Sequence, residues 1–158
     1  MGEREQRLVA AGYPLERGPK EGPVIDLLAV LGTTVYASGQ VPNDNGVLTS
    51  KGKVPSQVSV ADATTAAALC AANILRAIVL KLGSLDKIAR IVRVTGYVNT
   101  DPNFDDCHLV INGATNLFKE VFGPEAGRHA RTALGMGQLP LGTSVEVEAI
   151  FELRGDIG

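Results

Sequence analysis

The sequence predicts an α+β sandwich in the order β-β-α-β-α-β-β, with two helices packed on one face of a mixed sheet. Three observations lead there. Short β-branched and apolar runs, punctuated by Gly, Pro and Asn, occupy both ends of the chain. Two long segments, 56–82 and 101–122, repeat their apolar residues at helical spacing instead. Each lies between strand-like runs, and a helix that crosses between two strands of one sheet sets those strands parallel and right-handed.

In chain order, residues 3–11 have the composition of a short helix, stopped by Gly12 and Pro14, and 15–22 read as a linker. Residues 24–31 and 34–38 flank Gly32-Thr33 as a hairpin, and Asn43-Asp44-Asn45-Gly46 marks the next turn. Residues 47–54 add a short edge segment. The helix at 56–82 is capped by Ser56 or Ser59 and closed by Gly83, with an apolar stripe through Ala67, Cys70, Ala71, Ile74, Ile78 and Leu82.

The segment 85–99 alternates as a strand, with Ile91, Arg93, Thr95 and Tyr97 on one face and Val92, Val94 and Val98 on the other. Asp101-Pro102 opens the second helix, whose inner side tracks Phe104, His108, Ile111, Thr115, Phe118 and Phe122, and Gly123-Pro124 ends it. Gly113 inside that helix costs roughly 1 kcal/mol against Ala, which close packing or a contact would offset. Residues 129–153 form the last strand pair, turned by Leu139-Pro140-Leu141-Gly142. The whole is expected to be one domain, 1–158, with 1–22 as helix and linker and 23–154 as core.

Composition narrows the function. Hydrophobic residues make up 45% and charged residues 20% of the 158, which suits a globular chain with a real core. The 15 Lys+Arg against 17 Asp+Glu give no broad basic field, and only 4% of residues are aromatic, with no Trp. Nucleic acid is therefore an unexpected partner. The charged N-terminus has no signal-peptide core, and the apolar run around 66–72 is short for a membrane span, so a cytoplasmic protein is expected. Cys70 and Cys107 are far apart and read as free, packed thiols.

Within the last strand pair, Arg131 enters an otherwise small and apolar run, and Glu146 and Glu148 share one face of the final strand. A cation on one strand could face a carboxylate on the next. The planar Arg131 fork is equally suited to a ligand carboxylate. A glutamate in a partly apolar cleft can serve as general base, and alternation leaves open whether Glu146 or Glu148 does so. His108 and His129 have no zinc-site spacing, and His129 borders Arg131. Ser38-Gly39-Gln40 lacks the glycine of a nucleophile elbow. Ser38 reads as a hydrogen-bond donor, and Gly39 as a point of close backbone approach or a plain turn.

Four pieces give the chain a resemblance to the reactive intermediate deaminase (Rid, or YjgF) family. They are Tyr36-Ala-Ser-Gly-Gln-Val-Pro, Val92-Arg-Val-Thr-Gly-Tyr-Val-Asn, Asn112, and Ala130-Arg131 followed by Leu139-Pro140 and Val145-Glu-Val-Glu-Ala149. The resemblance implies a chorismate mutase-like fold and a homotrimer with clefts between subunits. It implies that Arg131 binds the carboxylate of a 2-imino acid, that Glu146 holds the hydrolytic water, and that Ser38 and Asn112 lie in the pocket, beside which Gly39 is the candidate for close backbone approach to the substrate. The family's pocket cysteine falls at Ala133, its tyrosine ahead of the first strand has no match, and Thr132 and Gly135-Met136-Gly137 also depart from it.

The activity so implied is hydrolysis of small enamines or imines to a 2-keto acid and ammonia. Such hydrolysis needs an anchored carboxylate, an oriented water and a proton donor, so no cofactor or metal is expected. Two other readings remain: a regulatory trimer that binds small carboxylates without turnover, and the endoribonuclease or translation inhibitor activity claimed for some relatives.

Overall fold

The structure is a computed structural model and describes residues 1–156; the last two residues of the expected 1–158 domain lie outside the described residues. The elements are α1 (Glu3–Ala10), β1 (Leu28–Leu31), β2 (Thr34–Gln40), β3 (Asn43–Asp44), β4 (Val47–Leu48), α2 (Val60–Leu82), β5 (Ile88–Asn99), α3 (Cys107–Ala126), β6 (Ala130–Met136) and β7 (Val145–Leu153). Five strands form one mixed sheet in the order β1-β2-β7-β5-β6, and β3 and β4 form a separate small ribbon. The long helices α2 and α3 cover one face of the sheet, and α1 adds a third helix.

Local chemistry explains the long helices. The Ser59 hydroxyl accepts from the Asp62 N–H at 3.0 Å to start α2, and Gly83, with φ 87°, ends it in the left-handed region. By length and composition α2 could cross a bilayer, but most of its apolar stretch is buried within the fold. Small side chains let α2 and α3 approach closely. A methyl group on Gly113 would collide with the Thr64 carbonyl oxygen, so close packing accounts for this mid-helix glycine.

Several expectations need correction. Asp101 does not cap α3, because its carboxylate accepts from the Ser56 N–H at 2.9 Å; the helix begins at Cys107. His108 is exposed, one residue off the buried stripe of Cys107, Val110, Ile111, Ala114, Phe118 and Val121. Gly123, with φ 85°, does break the helix ahead of Pro124. Strand β1 starts only at Leu28, where pairing with β2 begins, and leaves Val24 and Ile25 exposed. A bulge between Ile91 and Arg93 re-phases β5, so Ile91 joins the core beside Phe151 while Val92 and Arg93 face out.

The last two strands are not neighbours. β6 pairs with β5 in parallel, and β7 inserts antiparallel between β5 and β2. The connection between them therefore passes the end of β5, where Asn99 receives it. The Asn99 N–H donates to the Ser144 carbonyl at 2.9 Å and its side-chain amide to the Thr143 carbonyl at 3.0 Å. The N-terminal helix also belongs to the core. Leu8 is fully buried, Arg4 donates to the carbonyls of Leu85 and Ile88, and the Glu5 carboxylate accepts from Ser84 and the Leu85 N–H.

Candidate functional site

In the parallel register Arg131 lies beside Val94, a residue buried on the helix-covered face of the sheet. Arg131 therefore points toward α3. Its guanidinium donates to the Asn112 side-chain oxygen at 2.8 Å and to the Thr115 hydroxyl oxygen at 3.1 Å. These two partners sit three residues apart on one side of α3, and Lys119 follows four residues later. Asn112, Thr115, Lys119, Arg128, His129 and Arg131 line a depression of about 300 Å³.

His129 continues the network. Its Nδ1 lies 2.7 Å from the Gly127 carbonyl, which can only accept, so the hydrogen-bond pattern assigns the ring proton to Nδ1. In the neutral ring Nε2 then accepts from the Thr115 hydroxyl at 3.1 Å. The hydrogen bonds run in one direction from Arg131 through Thr115 and His129 to Gly127. Burial holds His129 below its usual pKa of 6.5; the Gly127 hydrogen bond opposes it, and the charges of Arg131 and Lys119 add smaller pushes in the same direction as burial.

Glu146 lies elsewhere. It pairs in register with Tyr97 and alternates with the buried Val145 and Val147, so it faces the side of the sheet that the helices leave open. Within one chain Arg131 and Glu146 are separated by β5 and by the thickness of the sheet, and the expected cross-strand ion pair is absent. Burial, and secondarily the charge of Glu148, raise the Glu146 carboxyl above its ordinary value. Glu148 accepts from the Tyr97 hydroxyl at 2.9 Å, whereas Glu146 accepts no hydrogen bond from a described residue. Gly39 belongs with Glu146, because a methyl group there would lie 2.5 Å from the glutamate's Oε1. The missing side chain makes room for the carboxylate.

Residues 5–153 match the family described as "YjgF/chorismate mutase-like, putative endoribonuclease". The chain belongs to this family. Among solved structures it is similar to Atu1372 from Agrobacterium tumefaciens, at 43% identity and a TM-score of 0.86, over 96% of this chain and 92% of that one. It is similar to TdcF from E. coli, solved with bound serine, at 26% identity and a TM-score of 0.57, over 89% and 95% of the two chains. Protein TCP17 of Trypanosoma cruzi is 38% identical over 123 residues, covering 78% of this chain and 77% of that protein.

The YjgF-type residues fall into two groups in this chain. Asn112 and Ala133 share the helix side of the sheet with Arg131; Ala133 pairs with Gly96 and packs against the core. Ser38 and Gly39 accompany Glu146 at the end of β2, and the Ser38 hydroxyl donates to the Asp26 carbonyl at 2.6 Å. Cys107 is buried and its thiol pushed up by that burial, as expected of a packing residue. Among the described residues no three His, Cys, Asp or Glu side chains converge as a metal site would require.

Sequence reasoning missed Lys119, Arg128 and Thr115 as site residues. The spacing of Asn112, Thr115 and Lys119 on one helix face was the available signal. It also missed that the linker returns to the site, since Gly18, Pro19 and Lys20 line a hollow of about 290 Å³ with Gly39 and Gln40.

Proposed function

We propose that this protein is a cofactor-free hydrolase that deaminates small 2-imino acids and the enamines that tautomerise to them, releasing ammonia and a 2-keto acid. One observation carries the reading. Arg131 is a half-buried guanidinium oriented by Asn112 and Thr115, and it has no carboxylate partner among the described residues. A partly desolvated cation without a counterion favours an anionic ligand. The serine bound by TdcF, which carries an α-carboxylate, supports the same ligand class.

In this reading the ligand's carboxylate docks on Arg131, and Glu146 orients a water and accepts its proton. The oxygen bonds to the imine carbon while the imine nitrogen takes up a proton. The resulting carbinolamine collapses as the C–N bond breaks, the nitrogen leaves as ammonia after a second protonation, and the carbonyl forms. A carboxyl raised toward neutrality by burial suits this proton traffic. Since Arg131 and Glu146 occupy opposite faces of one sheet, the reaction requires a second copy of the chain. A homotrimer would join Arg131, Asn112 and Ala133 of one protomer to Ser38, Gly39 and Glu146 of the next. Tyr36, Leu134 and Ile150 on the open face support such burial.

The test is 2-keto acid formation from imines generated in situ by an amino-acid oxidase, with the native mass measured on the same sample. The wild type should accelerate product release and Arg131→Ala should return it to the buffer rate. Equal rates for buffer, wild type and variant would end the reading for the imines tested.

Ala133, where the family carries a cysteine, favours a second reading: a trimer that binds small carboxylates without turnover. Thermal stabilisation by 2-keto acids in the absence of activity would select it. The endoribonuclease of the family description is a third reading; no Phe, Tyr or Trp lines the Arg131 depression to stack a base, and the one ring there, His129, is held between Thr115 and the Gly127 carbonyl.

A further inference from the structure

The depression beside Arg131 holds more positive charge than one carboxylate needs. Lys119, Arg128 and Arg131 all line it beside the neutral His129 ring, and no Asp or Glu does. The chain as a whole has more acidic than basic residues, so this is a local choice and not a reflection of composition. Four cations elsewhere pair with carboxylates, Arg7 with Glu3, Arg17 with Asp44, Lys81 with Glu21 and Arg90 with Glu152, and others such as Arg4 and Arg76 donate to backbone carbonyls. Among the described residues Lys119, Arg128 and Arg131 have no carboxylate partner.

The three cations differ in how they are held. Arg131 is half-buried and fixed by two side-chain acceptors, as an anchor should be. Lys119 and Arg128 are exposed at the rim, with side chains free to swing onto a ligand. Like charges that converge without a counterion repel one another, and a bound anion relieves that repulsion. One carboxylate on the Arg131 fork leaves Lys119 and Arg128 uncompensated. At about 300 Å³ the depression is at the small end for ligand sites, large enough for a short acid and not for a nucleotide.

We propose that the site takes a small ligand with two carboxylates, the α-carboxylate on Arg131 and a side-chain carboxylate on Lys119 and Arg128. This rests on the reading above that Arg131 anchors a 2-imino or 2-keto acid, and it deepens that reading by naming the substrate class: the acids derived from acidic amino acids.

Titration calorimetry of the full-length protein with 2-oxoglutarate and 2-oxobutyrate, at fixed ionic strength, tests it. The dicarboxylate should bind the wild type at least about tenfold more tightly, the worth of one charge-assisted contact near the surface. Lys119→Gln with Arg128→Gln should remove that advantage, weakening 2-oxoglutarate about tenfold more than it weakens 2-oxobutyrate. Arg131→Ala should weaken both ligands. Equal affinity of the wild type for the two acids, or a double variant that weakens both alike, would overturn the second-carboxylate assignment while leaving the Arg131 anchor standing. Binding of neither acid would remove both.

Discussion

The Arg131 guanidinium on β6 donates at 2.8 Å to the side-chain oxygen of Asn112 on α3, a neutral acceptor where a carboxylate would have neutralised it. The distinction is testable with a near-isosteric change. Asn112→Asp converts the contact into an internal ion pair that competes with any ligand anion. Ligand affinity should fall by about tenfold or more, with no loss of melting temperature. Asn112→Ala should weaken binding by only a few-fold, since Thr115 still orients the arginine. Calorimetry and thermal melts on both variants check this. An aspartate variant that binds as tightly as wild type would mean that Arg131 is not the anchor.

Gly39 and Glu146 make the corresponding pair on the other side of the sheet. An alanine at 39 would crowd the Glu146 carboxylate, which can swing away because it is the far end of a flexible side chain. Gly39→Ala should therefore fold normally and melt within about 2 °C of wild type. Its kcat for imine hydrolysis should drop ten- to a hundredfold, roughly the cost of displacing a catalytic group by 1 Å. An unchanged kcat would show that Glu146 does not orient the water.

Gly113 predicts the opposite pattern. There the obstacle is the Thr64 backbone carbonyl, which cannot move unless α2 and α3 separate. Overpacking of this kind costs about 1–3 kcal/mol, so Gly113→Ala should lower the melting temperature by several degrees despite alanine's better helix propensity. A melting temperature at or above wild type would show that the helices are more loosely packed than the geometry implies.

Local signals carried most of the fold and local context hid the rest. The periodicity of α2, the Ser59 cap and the Gly83 stop are written in neighbouring residues, and so is the break at Gly123. The separation of β6 from β7 is not, because consecutive strands pair by default and only the insertion of β7 beside β2 prevents it. Asp101 looked like a helix cap because the competing Ser56 N–H is 45 residues away in sequence. Asn112 and Arg131 were legible through the family resemblance. Lys119 and Arg128 were ordinary surface cations until the fold set them around one depression.

His129 and Glu146 make the pH dependence of stability run in opposite directions. His129 has a folded pKa below 6.5, so the unfolded chain binds its proton more readily. The stability that neutral His129 contributes is fully present above pH 6.5 and is lost as pH falls through the folded pKa. Glu146 has a folded pKa above 4.5, so its favourable protonated state contributes below pH 4.5 and is lost as pH rises through the folded pKa. Glu146→Gln should accordingly raise the melting temperature at pH 7 and have less effect at pH 4. His129→Gln, which keeps a side-chain acceptor for Thr115, should flatten the fall in melting temperature of wild type below pH 6.5. Melts from pH 8 to pH 4 on the three proteins read both effects at once. Superimposable curves for wild type and His129→Gln would mean that the ring is not held neutral between Thr115 and Gly127. A glutamine at 146 that lowers the melting temperature at pH 7 would place the carboxylate in a more favourable environment than a half-buried, unbonded one beside Glu148.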